Sequence, residues 1–152
     1  MRPSENFARQ HGELMVVAQE VMRTLAAPGW EQDVPAVRKL VAQFTGKLAV
    51  HGAMENEALY PRLLTHPDET IRTKAAQLLK EVDGIYDAFQ AFARDWSQEA
   101  IQAQPQGYVL EVKRLFGLLG KRMARENTEL HPMADAHLGC AGPPPRSPSP
   151  RC

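Results

Sequence analysis

Apolar side chains recur at three- and four-residue intervals in four successive stretches, the pattern of helices that each bury one face. The first stripe is Phe7, His11, Leu14, Ala18, Val21 and Leu25, and Ala27-Pro28-Gly29 stops it. The second, Val37, Val41, Phe44, Leu48, His51, Glu55 and Leu59, opens behind Asp33 with Pro35 in its first turn, where a missing N–H costs nothing. A third helix is expected to begin near Pro67-Asp68-Glu69 and to run through Leu78, Val82, Ile85, Phe89, Phe92 and Trp96 toward Gln104-Pro105. The fourth starts at about Gly107 and follows Tyr108, Val112, Leu115, Leu119, Arg122, Glu126 and Leu130, with Pro132 marking its last turn or a kink. No stretch shows the two-residue alternation of a half-buried strand. The pattern predicts an all-α chain, an up-down-up-down antiparallel four-helix bundle over residues 1–138. Residues 139–152 hold Pro143-Pro144-Pro145, Pro148 and Pro150 and read as a disordered tail.

The four stripes are two copies of one hairpin. A shift of 71 residues brings Leu14 onto Ile85, Val41 onto Val112, Gly46 onto Gly117 and Leu48 onto Leu119. The same shift pairs Glu55 with Glu126, Asn56 with Asn127, Leu59 with Leu130 and Pro61 with Pro132, so that MENEALYP and ARENTELHP are copies of one motif. It pairs His11 with Val82 and His51 with Arg122, so one half carries two histidines where the other has neither.

These polar residues lie inside the apolar seams. His51 and Glu55 are four apart and project from one helix face. Spacing of this kind is common, and a lone seam histidine is more often a hydrogen-bonded core residue than a ligand. The argument rests on convergence: His11, His51, Glu55, Arg122 and Glu126 all occupy seam positions on three helices. Burying ionised side chains without partners costs several kcal/mol per ion, so something must compensate them. Two imidazoles and two carboxylates inside a bundle suit a divalent cation. Two carboxylates and Arg122 sum to −1, which a divalent cation brings to +1 and one protonated histidine brings to zero. Of the other histidines, His131 stands in the repeat where Tyr60 stands, beside the core face, a place from which it could reach the site but where a core residue is the commoner case than a ligand, while His66 falls in a connection and His137 at the end of helix four. Met15, Met22, Met54 and Met123 read as bundle packing, and Trp30 and Trp96 as hairpin-end or core aromatics.

Composition narrows the function. Lys and Arg number 18, as do Asp and Glu, so no overall basic field gathers nucleic acid. No apolar run is long enough to span a membrane, and the polar start, MRPSENFARQHGEL, lacks a secretory core, so a cytoplasmic address is expected. Cys140 and Cys152, the two cysteines, both fall in the tail, which leaves neither a disulfide framework nor a thiolate metal site. No Ser-His-Asp set, phosphate-binding glycine loop or deaminase cysteine pattern is present, and no enzymatic activity is expected.

The order of a histidine, then His-x-x-x-Glu, then a second such half, with glutamates followed by Leu-Tyr-Pro or Leu-His-Pro, resembles the hemerythrin-like (HHE) cation-binding domain over about residues 5 to 138. The resemblance implies a bundle holding two irons, with the glutamates of helices two and four bridging them. Carried onto this chain, it assigns His11, His51, Glu55 and Glu126 as metal ligands. The sequence departs from the family at Val82 and Arg122, which stand where the second iron's histidines would be. The resemblance therefore implies one metal per chain, iron foremost with zinc or manganese tolerated, and a role in sensing oxygen, nitric oxide or redox state rather than carrying oxygen. The competing reading is a metal-free protein-interaction module in which Arg122 replaces the dinuclear centre.

Overall fold

The computed structural model describes residues 2–82 and 84–138, with the side chain of Val82 excluded. The expected tail, with both cysteines, lies outside the described residues. The chain is all-α, and the helices pack as a bundle of four rods. The first rod is α1 (Glu5–Ala26). It turns at Gly29, whose φ of 80° only glycine adopts without strain, into a 3-10 turn at Trp30–Asp33. The Asp33 carboxylate accepts the Ala36 N–H and, with Pro35 in the first turn, starts α2 (Val34–Met54). The second rod continues through a π-turn at Glu55–Leu59 into α3 (Tyr60–Leu64). The fourth repeats this order: α7 (Pro105–Arg125), a π-turn at Glu126–Leu130, then α8 (His131–His137). Both π-turns precede a proline, Pro61 or Pro132, whose ring clashes in a regular helix with the carbonyl four residues back. The wider turn relieves that clash, and the N–H groups of Tyr60 and His131 reach five residues back to Glu55 and Glu126.

The third rod differs from the expected single helix. It comprises α4 (Glu69–Val82) and α5 (Ile85–Asp95), broken at Gly84 with φ 95°, followed by a separate α6 (Gln98–Ala103) started by the Ser97 hydroxyl. A glycine in the left-handed region ends the first segment, a signal that the continuous apolar stripe conceals. The fourth rod begins at Pro105, two residues before the expected start.

The buried faces follow the stripes of the first, second and fourth rods, with Val17 more deeply buried than Ala18 on α1, and on the third rod Leu78, Phe89 and Phe92 are buried while Ile85 and Trp96 are partly so. Met15 is a correction: it is 45% exposed and outside the core. The apolar interior forms two clusters. One, from Leu14, Val21, Val41, Phe44 and Leu48 to Phe89, Val112, Leu115 and Leu119, fills the end of the hairpin turn at Trp30. The other gathers Phe7, Leu59, Tyr60, Leu63, Ile71, Leu78 and Leu130. Each fully buried aliphatic or aromatic side chain contributes about 1.5–3 kcal/mol to holding the rods together. Between the two clusters lies a polar layer, entered on α1 between Phe7 and Leu14 and on the second rod between Leu48 and Leu59. No helix among the described residues is long and apolar enough to cross a membrane.

A candidate metal centre between two apolar layers

The polar layer contains His11 from α1, His51 from the last turn of α2, Glu55 and Glu126 from the first residue of each π-turn, and Arg122 from the last turn of α7. All five are at most 4% exposed. One ligand atom each from His11, His51, Glu55 and Glu126 lies within 4.8 Å of every other. His11 Nε2 is 2.8 Å from Glu126 Oε2 and 3.1 Å from His51 Nε2. His51 Nε2 in turn lies 3.0 Å from Glu55 Oε1 and 3.5 Å from Glu126 Oε2. The sequence-derived candidates are thus brought together as a set.

The outer nitrogens explain the orientation of the rings. His51 Nδ1 is 2.8 Å from Gln10 Oε1, and the Gln10 amide nitrogen faces Met54 Sδ at 2.9 Å, which directs the oxygen to the ring. His11 Nδ1 is 2.9 Å from Asn127 Oδ1. An amide oxygen can only accept, so both Nδ1 atoms donate, and each Nε2 lone pair is left pointing into the cluster. Two such lone pairs and the carboxylate oxygens repel one another unless a proton or a cation lies among them. Without metal the proton goes to His51. Burial by itself lowers its pKa, but the Glu126 and Glu55 carboxylates outweigh burial and raise it to about 9. Burial by itself raises the Glu126 pKa, and the His11 and His51 imidazoles beside it reverse that, holding it far below the usual carboxylate range.

The donor set also fits a cation. Metal bonds of about 2.0–2.2 Å to imidazole nitrogen and carboxylate oxygen place neighbouring donors about 3.0–3.5 Å apart, close to the 2.8–3.5 Å separations found here. Outer hydrogen bonds from Nδ1 to an acceptor are the usual support of a metal-bound histidine. Glu55 Oε1 is buried and makes no well-aligned hydrogen bond, its near neighbours being His51 Nε2 at 3.0 Å and His131 Nε2 at 3.6 Å, as suits an oxygen that faces a cation.

The opposite side of Glu126 is closed by Arg122. Its Nε donates to Glu126 Oε1 at 3.0 Å, one terminal nitrogen donates to the Leu78 carbonyl at 2.7 Å, and the other to the Tyr60 hydroxyl. The guanidinium is therefore held by three groups where a second cation would need donors.

The chain matches the Hemerythrin HHE cation binding domain over residues 2–134. It belongs to that family. No curated protein and no solved structure gives a match. In this HHE domain the helix-three position is Val82, whose side chain lies outside the described residues.

Sequence reasoning missed four neighbours of the cluster. Gln10 and Asn127 orient the histidines, yet both lie off the apolar stripes, and only the Asn56-Asn127 repeat hinted at the latter. Tyr60 reaches across to Arg122. Tyr86 of α5 lies against Gly52, where an added Cβ would stand 2.9 Å from the ring, so the residue after His51 is small because another helix's phenol occupies that space. Burial first, and the nearby Glu55 charge second, push the Tyr86 pKa far up and keep that phenol neutral. His66 stays in its connection, edge-on to His137 at 5.6 Å and apart from the cluster.

Proposed function

We propose that this HHE domain binds one divalent cation per chain through His11, His51, Glu55 and Glu126, that the physiological metal is iron, and that the domain reports oxygen, nitric oxide or redox state to a protein partner in the cytoplasm. The observation that carries the reading is the pair of imidazoles whose Nδ1 atoms are tied to Gln10 and Asn127 while their Nε2 atoms converge on two carboxylates. Two nitrogens and two carboxylates suit Fe(II), with zinc and manganese as competitors. The bound ion would supply a redox-active centre and a position for a small ligand. The protein's residues orient the donors and exclude bulk water. Arg122 on Glu126 argues against a second ion, and reversible oxygen carriage of the family's kind draws electrons from two irons. The role is binding and reporting rather than turnover.

Elemental analysis of protein reconstituted with Fe(II) under anaerobic conditions tests this. One iron per chain is expected, falling below 0.1 in His51→Ala, roughly the loss of affinity a missing ligand brings. Two irons per chain, or none, refutes it. A second reading draws on Arg122 itself: three hydrogen bonds from one buried guanidinium make a sufficient structural core for a metal-free interaction module. Under that reading no metal is retained and unfolding is indifferent to chelator.

A further inference from the structure

Among the described residues, two buried side-chain atoms have no hydrogen-bond partner: Glu55 Oε1 and His131 Nε2. They face each other at 3.6 Å, too far for a hydrogen bond. His131 is 4% exposed, and its ring lies 5.1 Å from that of His11 and 5.9 Å from that of Phe7. An imidazole so enclosed loses hydration, and one nitrogen left without a partner costs about 1–3 kcal/mol. A group in that position is either a defect or a donor awaiting something.

The repeat supplies the reason for its direction. His131 and Tyr60 are equivalent residues, each the first after a π-turn and each carried by a backbone N–H that bonds to the glutamate opening that turn. Tyr60 crosses from the first hairpin to the second and meets Arg122, which holds Glu126. His131 crosses from the second hairpin to the first and meets Glu55. The two π-turns thus aim one side chain each at the opposite half. On the Arg122 side the position carries a hydroxyl that accepts from a guanidinium. On the histidine side it carries a ring nitrogen that faces the Glu55 carboxylate oxygen, which His51 Nε2 also approaches at 3.0 Å, and neither the ring nitrogen nor the oxygen has a well-aligned hydrogen bond.

We infer that His131 is a further metal ligand, a third imidazole that joins His11, His51, Glu55 and Glu126 and is delivered by the second π-turn. This rests on the proposed metal binding and deepens it. His131 Nε2 is outside the group of four atoms that lie within 4.8 Å of one another but 3.6 Å from Glu55 Oε1, so its ring must move toward the ion to join the set. Three imidazoles and two carboxylates hold a divalent ion more selectively than two and two, because nitrogen-rich sets favour iron and later metals over magnesium and calcium.

The test uses the full chain loaded with Cu(II) alone, whose pulsed electron paramagnetic resonance counts coordinated imidazoles, and with Fe(II) alone for affinity. Three imidazoles are expected in the wild type, and two in His131→Gln. Fe(II) affinity should fall by about a hundredfold in His131→Gln, the upper end of what loss of even an outer partner costs. His131→Phe is the second variant, keeping the ring volume, and thermal unfolding of the metal-free forms identifies a folding defect. Two imidazoles in the wild type, a reading that needs no variant, overturns the inference. So does unchanged affinity in both His131 variants while His51→Ala abolishes binding, and in that case the four-ligand site itself survives. A wild type that binds neither metal overturns both.

Discussion

Replacing Arg122 by leucine removes the one permanent positive charge of the buried layer and tests what compensates the two glutamates. Arg122 is 4% exposed and donates to Glu126, the Leu78 carbonyl and the Tyr60 hydroxyl. Stranding a buried carboxylate by removal of its partner costs about 3–5 kcal/mol. In the metal-free protein protonated His51 remains to share both carboxylates, and the layer is left at −1, so the full range applies to Arg122→Leu. A bound divalent ion changes the sum, because Glu55 and Glu126 are then neutralised by the ion. What is still lost is the pairing of Leu78 and Tyr60, about 1–3 kcal/mol. The assay is urea unfolding of wild type and Arg122→Leu, each in chelator and each with saturating Fe(II) under nitrogen, at neutral pH. A loss of about 3–5 kcal/mol in chelator that shrinks by about 2 kcal/mol with metal is expected. Equal losses in the two conditions would refute the charge argument. A loss under about 1 kcal/mol in chelator would refute the description of Arg122 as a buried counter-charge.

Two further outcomes follow from the geometry. The folded-state pKa of His51 is raised, so its contribution in metal-free protein is fully present below its ordinary pKa of 6.5 and is lost as pH rises through about 9; chelated protein should weaken by up to about 3 kcal/mol across that window, followed by urea unfolding, whereas metal-loaded protein should not, since the ion replaces the proton. Gln10→Leu removes the acceptor at His51 Nδ1 without touching a proposed ligand, and should reduce Fe(II) affinity about ten- to a hundredfold in a competition titration, while Gln19→Leu, on an outward face of the same helix, should leave it unchanged.

The fold was legible where the apolar period and the helix signals agree. Every stripe residue named on α1, α2 and the fourth rod is buried except Ala18, which is partly so, and the seam positions of His11, His51, Glu55, Arg122 and Glu126 delivered all five to one layer. The third rod was misread because a stripe that continues in register across Gly84 reports the face of a helix, not the continuity of its backbone. Gln10 and Asn127 could not be found by pattern, because outer partners sit at the margin of the buried face, where polar residues are expected anyway. The π-turns lie between the two: the prolines at matched places in the repeat mark a disturbance, but only the backbone shows that it widens the helix at the glutamate.

The duplicated hairpin has two equivalent places for positive charge, one beside each glutamate, and this chain fills them differently. On the second-half side the charge is covalent: Arg122 cannot leave, and it binds Glu126 and Tyr60 permanently. On the first-half side the charge is exchangeable, because His11, His51, Glu55 and the unpartnered His131 surround a position that a proton on His51 or a divalent ion can satisfy. Fixing one charge stops the bundle from depending on two ions for its stability, since Glu126 stays compensated in either state. It also concentrates the whole difference between the two states on one side of the layer, where Phe7, His11 and Gln10 of α1 touch His51 and His131. A change on gaining or losing an ion bears on the elements that carry these groups, α1, α2 and both π-turns, and Ser4 and Asp135 tie the N-terminus beside α1 to α8 beside the second π-turn.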